Sequence, residues 1–192
     1  MSDNSRAAVM ERKGEVTEGS EEKYLTFKLA EEEYGLEILK VREIIGMMEV
    51  TKVPRTPDYV RGVVNLRGKV IPVIDLRKKF NMAETEDTIQ TCIIVVAVQQ
   101  GEDNVEIGVL VDSVSEVLDI PAQDIEDPPT FGSDFNSDFI LGMAKAEDSV
   151  KILLNIDKVL TASEISSLSA KQNAETSETK PNPQPSGSSE KL

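Results

Sequence analysis

The sequence predicts a mainly β protein, a sandwich or a pair of small barrels with a few short helices. Three observations carry this expectation. Short β-branched runs recur at regular spacing, Gly, Pro and charged clusters punctuate them, and few stretches show a helical period. The runs add up to about ten strands, which suits two small barrels packed together better than one.

Residues Tyr24 to Leu29 put Leu25, Phe27 and Leu29 on one face and Thr26 and Lys28 on the other. After a charged turn at Glu31 to Glu33, the run Tyr34 to Ile38 returns, which predicts a hairpin. Leu39 to Ile45 places Val41, Ile44 and Ile45 at helical spacing, with Gly46 able to end a turn of helix. Val50 to Val53 is expected as a strand stopped by Pro54 and Pro57. Val63 to Leu66 and Lys69 to Ile74 are two further strands joined by a tight turn at Arg67 and Gly68. Pro72 cannot donate to a ladder, so it predicts an edge or a bulge there. Asp75 is a suitable N-cap for a short helix ending near Phe80. Thr91 to Val98, Val105 to Val111, Val114 to Ile120, Phe139 to Lys145 and Val150 to Asn155 complete the strands. Gly101 to Asn104 and Glu147 to Ser149 serve as turns. A last helix is expected from Ile156, with Val159, Leu160, Ile165 and Leu168 as its apolar positions.

The 192 residues suffice for one domain or two small ones. Residues 1–22 and 170–192 are poor in large apolar side chains, and the second stretch alternates Pro181, Pro183 and Pro185. Both are expected as disordered tails, because they cannot offset their ordering entropy. The folded body is then residues 23–169. Its longest apolar run, Cys92 to Val98, is seven residues, far short of the roughly 18 that suggest a membrane-spanning helix.

Composition disfavours several functions. Acidic residues outnumber basic ones by 35 to 21, a net charge of -14 that repels a phosphate backbone or an anionic membrane. With no His and Cys92 as the only cysteine, the ligands of a zinc enzyme and the base of a Ser or Cys hydrolase are missing. One Cys also forbids an internal disulfide, and the first residues show no secretion-type leader, which together point to the cytosol. No metal and no cofactor are expected. Charges are unevenly placed: Ile38 to Lys79 holds ten basic and four acidic residues, whereas Phe80 to Ala144 holds fourteen acidic and no basic ones. The split either presents two regions to partners of different character or simply solvates loops and outward faces.

Candidate chemical motifs fail on spacing. The clusters Glu31, Glu32, Glu33 and Asp124, Glu126, Asp127 lack the alternating pattern of a Ca²⁺ loop. A glycosidase pair needs a cleft usually lined by aromatics, and the chain is 4% aromatic with no Trp. In GVVNLRGKV, Gly62 to Val70, the glycines are one residue too far apart for a phosphate loop, and no Ser or Thr follows Lys69. What survives is RGVVNLRGKVIPVIDLRKKF, Arg61 to Phe80. Gly62 and Gly68 permit unusual backbone geometry, Asn65 can bond locally, and Arg67 is presented near a loop tip. Arg67 there either takes a partner's carboxylate in two parallel bonds or pairs with an internal acid such as Asp75 or Asp112.

This run, with EEYGLEILKVREI at Glu32 to Ile44, VTKVPRTPDYVRG at Val50 to Gly62 and IGVLVDSVSEVLDI at Ile107 to Ile120, closely resembles the CheW family, the coupling proteins of bacterial chemotaxis. The match keeps its order across about residues 22–168. The resemblance implies two SH3-like five-stranded β-barrel subdomains and no catalytic activity. It implies as partners the cytoplasmic tips of chemoreceptors and the regulatory domain of the histidine kinase CheA, with recruitment to membrane-associated receptor arrays. No nucleic acid and no membrane insertion are expected. Carried over residue by residue, it implies a receptor groove at Leu25, Ile38, Val41, Ile44, Arg67, Val114 and Val117, with Glu43 and Gly62 nearby. A kinase-facing surface is implied at Glu49, Val50 and Thr51, and a ring contact at Ile125, Glu126 and Phe131. Glu126 stands where some relatives carry a basic residue. Periodicity alone assigns the apolar members to core. Both roles coexist if the groove is an exposed apolar strip that receives a helical hairpin. A coupler for a motility system other than flagellar chemotaxis is the nearest alternative.

Overall fold

The computed structural model describes residues 21–129, 137–146, 148–161 and 163–168. The two tails, apart from Glu21 and Glu22, lie outside the described residues, as do Phe131 and Glu147. Among the described residues, eleven strands form two sheets. The chain starts with β1 (Glu21–Leu29) and β2 (Glu32–Glu37), so the first strand begins at Glu21. It then builds a five-stranded sheet from β3 (Val41–Gly46), β4 (Val60–Leu66), β5 (Lys69–Asp75), β6 (Cys92–Gln100) and β7 (Asp103–Val111), in the order β3-β6-β7-β5-β4. It returns through β8 (Ser113–Pro121), β9 (Ile125–Glu126), β10 (Ile140–Ala146) and β11 (Ser149–Leu154) to close a six-stranded sheet, β8-β1-β2-β11-β10-β9. The five-stranded unit is thus an insertion between the two halves of the other. The expectation of five strands in each unit is corrected to six and five, because β9 was not foreseen: two residues give no period to read. The fold class is mainly β, consistent with two SH3-like barrel subdomains.

Three cores hold this arrangement. Leu25, Phe27, Leu29 and Leu36 of the first unit meet Ile74, Ile94, Val96, Val98, Ile107 and Val109 of the second in a shared core. Val64, Ile71, Val73, Ile93, Val95 and Leu110 fill the five-stranded unit, and Tyr24, Ile120, Ala144 and Leu153 fill the six-stranded one. This explains the unbroken apolar run of β6. Ile93 and Val95 face their own unit while Ile94, Val96 and Val98 face the shared core, so neither face carries the polar residues that would make the pattern alternate.

Several local expectations are corrected. Leu39 to Ile45 is a 3-10 turn at Ile38–Lys40 followed by strand β3. Three β-branched residues in six, pairing with β6, outweigh a weak helical spacing. Val50 to Val53 makes only one bridge, Thr51 to Val63, before Pro54 ends it. Pro72 sits in β5, which is an interior strand. Val63 points its backbone N–H and C=O at Thr51, so Val63 and Pro72 exchange no bonds. The missing N–H of Pro72 therefore faces β7, where the β5–β7 ladder begins only at Val73. The turn between β1 and β2 lies at Ala30 and Glu31, and Glu32 and Glu33 already belong to β2. The helix from Ile156 breaks: α1 (Leu76–Lys79) is followed by α2 (Ile156–Val159), extended backbone at Leu160, and α3 at residues 163–168. Asp75 does cap α1, accepting from the Lys78 N–H at 3.3 Å.

The charge split along the sequence cancels in part inside the molecule. Arg61–Asp87 (2.5 Å), Lys69–Glu106 (2.5 Å), Lys78–Glu84 (2.8 Å) and Arg77–Asp112 join the basic segment to the acidic one. Arg42, Lys52 and Arg55 are the members of the basic segment without an ion pair among the described residues.

Candidate functional site

The crossover from β7 into β8 fixes one unit against the other. The Asp112 carboxylate accepts two bonds from Arg77 of α1 and one from the Ala30 N–H at 2.7 Å, while its own N–H donates to the Lys28 carbonyl at 3.1 Å. Burial pushes the Asp112 carboxyl up, but the bonds from Arg77 and Ala30 outweigh it and hold the group below its ordinary range. A second tie runs from Cys92, which opens β6 beside Gly46 of β3, to the backbone of Val114 at the start of β8. Burial pushes the Cys92 thiol up, the backbone bond from Val114 only partly offsetting it.

β3 and β8 are each an edge strand of their sheet, and Val41 of one and Val114 of the other pack against the same shared core. The 3-10 turn before Val41 packs on β1, whose Leu25 is paired with Val117. The groove residues implied by resemblance divide by burial. Leu25 is 3% exposed and belongs to the shared core, while Ile38, Val41 and Val114 pack partly buried against that core. Ile44 and Val117 are exposed, at 45% and 48%. Large apolar side chains on two edge strands, left open to water, are what an interaction strip requires.

Arg67 stands at one end of this region. The β4–β5 hairpin turns on Arg67 (φ 53°) and Gly68 (φ 84°), two successive left-handed residues. A two-residue hairpin of that kind matches strand twist. The Asn65 side chain accepts from the Gly68 N–H at 2.8 Å and braces the turn. The guanidinium is 73% exposed and forks onto Glu43 of β3, with Nη1 donating to Oε2 at 3.1 Å and Nη2 to Oε1. Glu43 is therefore Arg67's internal acid, and neither Asp75 nor Asp112 is. The strand alternation of β3, once recognised, is the signal that would have found it.

Gly62 carries a packing role. Its φ is +145°, and a Cβ there would lie 2.2 Å from the Thr51 carbonyl oxygen, so only glycine lets the 49–51 segment lie against β4. That segment presents Glu49 and Thr51 to solvent, with Val50 partly buried on the core of the five-stranded unit. Beyond the Thr51 bridge a cavity of about 610 Å³ opens, lined in part by Met47, Met48, Val50, Lys52 and Asp58. Ile125 is half-buried beside the six-stranded unit's core, and Glu126 is exposed and paired with Lys145 at 2.6 Å.

Sequence reasoning also missed Glu164, although Thr161-x-x-Glu164 before an apolar run is a capping-box signal. Thr161 donates from its N–H (2.6 Å) and hydroxyl (2.8 Å) to Glu164, which also accepts from Tyr59 at 2.5 Å and Lys79 at 2.7 Å. Among the described residues no group of three or more His, Cys, Asp or Glu is placed to hold a metal ion. No helix among them is long and apolar enough to cross a membrane.

Two curled sheets around a shared core, each with an edge strand that leaves a large apolar side chain exposed, define a double-barrel β domain. A family model described as the CheW-like domain matches residues 23–164. Chemotaxis protein CheW of Klebsiella aerogenes is 38% identical over 144 residues, covering 75% of this chain and 84% of that protein. Protein FrzA of Myxococcus xanthus is 30% identical over 142 residues, 73% of this chain and 86% of its own. The crystal structure of the scaffolding protein TtCheW from Thermoanaerobacter tengcongensis superposes with a TM-score of 0.65 at 37% identity, covering 72% of this chain and 92% of that one. The chain belongs to the CheW-like family.

Proposed function

We propose that this protein is a non-catalytic cytoplasmic adaptor that couples chemoreceptor cytoplasmic tips to the regulatory domain of the histidine kinase CheA. Family membership supports the role, and the observation that carries the site is the pair of exposed valine and isoleucine side chains, Val117 on β8 and Ile44 on β3. A receptor's helical hairpin laid along these edges would bury them, with Ile38, Val41 and Val114 beneath and Arg67, held by Glu43, at the rim. Leu25, in the shared core, supports that surface from below, while Gly62 holds the neighbouring 49–51 segment against β4. The kinase would meet Glu49, Val50 and Thr51, and a ring contact would use Ile125, Glu126 and Phe131. Such contacts would draw the protein to receptor arrays at the membrane. The similarity to Protein FrzA supports a second reading, coupling in a chemosensory pathway other than flagellar chemotaxis.

The test is to titrate wild type and Val117→Lys against a receptor tip fragment and, separately, against the kinase regulatory domain. A lysine at a position that is desolvated in the complex has no partner there, so receptor binding should be lost while kinase binding is kept. Unchanged receptor binding would place the receptor site elsewhere.

A further inference from the structure

A cavity of about 330 Å³ opens at the junction of the two units, and its described lining shares no residue with β3, β8 or the connection from Met47 to Tyr59. The six-stranded unit contributes Tyr34, Ile140 and Ile152, with Phe139 just before β10, and the end of α1 contributes Phe80 from the other unit. Three of these walls are aromatic and stand in a row. Phe139 stacks on Phe80 with ring centroids 5.2 Å apart, Phe80 on Tyr34 at 6.0 Å, and Tyr34 on the fully buried Phe27 at 5.8 Å. Lys79 is the charged residue of the lining, and its ammonium is held by Glu164 at 2.7 Å and lies 4.4 Å over the Tyr59 ring, neither of which lines the cavity. Asn81, exposed, marks the mouth. The polar feature of the interior is Tyr34. It is only 8% exposed, yet its hydroxyl makes no hydrogen bond among the described residues. A buried hydroxyl left without a partner is costly and uncommon. Burial pushes the phenol pKa up, and Glu32 adds to the shift, so the group is a proton donor at neutral pH.

We propose that this cavity binds a small, uncharged aromatic molecule that carries one hydrogen-bond acceptor. Its volume stands at the small end of the range for ligand pockets, which suits a fused-ring compound better than a larger one. The rings lie against Phe80, Phe139, Ile140 and Ile152, where flat, polarizable faces already stack on one another. The acceptor takes the hydrogen bond that the Tyr34 hydroxyl lacks. A charged ligand would lose its hydration and find no free opposite charge in the lining. A purely apolar one would leave the hydroxyl unanswered. Because both units line the cavity, an occupant braces one against the other and stabilises the folded chain.

The experiment uses the full chain and two probes of the same size and shape. Quinoline is uncharged at neutral pH and its ring nitrogen accepts a hydrogen bond, whereas naphthalene has no acceptor. Isoleucine methyl resonances are followed by NMR as each probe is added. Those of Ile140 and Ile152 should shift saturably, while those of Ile93, in the core of the five-stranded unit, should not. Quinoline should bind wild type about fivefold more tightly than naphthalene, the difference one hydrogen bond makes. Tyr34→Phe should bring quinoline down to the naphthalene value and leave naphthalene as it was, because only the hydroxyl is removed. Ile152→Trp, which fills the cavity, should abolish both, and saturating quinoline should raise the melting temperature of wild type but not of this variant. Absence of a saturable shift at Ile140 and Ile152, or equal affinity of wild type for the two probes, would overturn the assignment. So would quinoline binding that survives unchanged in Tyr34→Phe or in a folded Ile152→Trp. Should Ile152→Trp fail to fold, Tyr34→Phe decides, since it keeps the ring that stacks between Phe27 and Phe80. None of these outcomes depends on the receptor or kinase reading.

Discussion

Replacing Glu164 by Gln tests how the C-terminal helix is held to the body. Burial alone would push this carboxyl up, but bonds from Lys79, Tyr59 and Thr161 outweigh it and bring the pKa to about 2. Against an unfolded value of 4.5, the difference of about 2.5 units corresponds to about 3 kcal/mol at 1.36 kcal/mol per unit. The folded pKa is depressed, so this stability is present above about pH 4.5 and lost as pH falls toward 2. Roughly half remains near pH 3.2. The Gln side chain keeps the shape and removes the charge, and its amide nitrogen cannot accept from Lys79 or Tyr59. Urea unfolding of both proteins between pH 7 and pH 2 should therefore show a gap of about 3 kcal/mol at pH 7 that closes at the acid end. All other carboxylates titrate in both proteins and drop out of the difference. A gap that stays constant with pH, or no gap at pH 7, would refute the reasoning. Lys79→Met in a double-mutant cycle should recover part of the same energy, because the cation and the carboxylate are 2.7 Å apart.

Arg67→Ala should leave the thermal unfolding curve close to that of wild type, since an exposed ion pair is worth little, while receptor-dependent kinase activation falls. Unchanged activation in a reconstituted assay would remove Arg67 from the site. Gly62→Ala should cost roughly 2–4 kcal/mol in denaturant unfolding, because a left-handed residue gains a Cβ inside the Thr51 carbonyl's contact distance. A loss under 0.5 kcal/mol would show that the 49–51 segment moves aside freely. Val41→Lys should destabilise more than Val117→Lys in thermal unfolding, Val41 being packed on the shared core and Val117 open to water. Equal melting temperatures would contradict that ordering.

Much of the site region was legible because it is written in local chemistry. The Arg67-Gly68 turn, the Asn65 brace and the Asp75 cap each depend on residues within three positions of one another, so composition and spacing predict them. The alternation of Leu25, Phe27 and Leu29 likewise names the face of β1 turned to the shared core, although Tyr24 and Thr26 on its other face are buried too. What the pattern could not decide is which buried residues are also reachable from outside. Leu25, Val41 and Val117 read alike in sequence, yet they are core, rim and surface, because exposure depends on where sheets end and the sequence does not mark an edge.

Long-range pairing was the other blind spot. Leu39 to Ile45 reads as helix until β6 offers a strand to pair with, and Pro72 reads as an edge or a bulge until β5 is seen to be interior, with a register shift on β4 beside it and the β7 ladder beginning one residue later. Arg67's partner is 24 residues away, and the carboxylates that neutralise the basic segment lie on different strands and loops. The sequence by itself determined the mainly β class, most of the strands, the Arg67-Gly68 turn, the Asp75 cap and the family. The tertiary structure decided which edges stay open and which charges stay unpaired. Those properties depend on what each side chain meets across the fold, and chain neighbours carry no record of it.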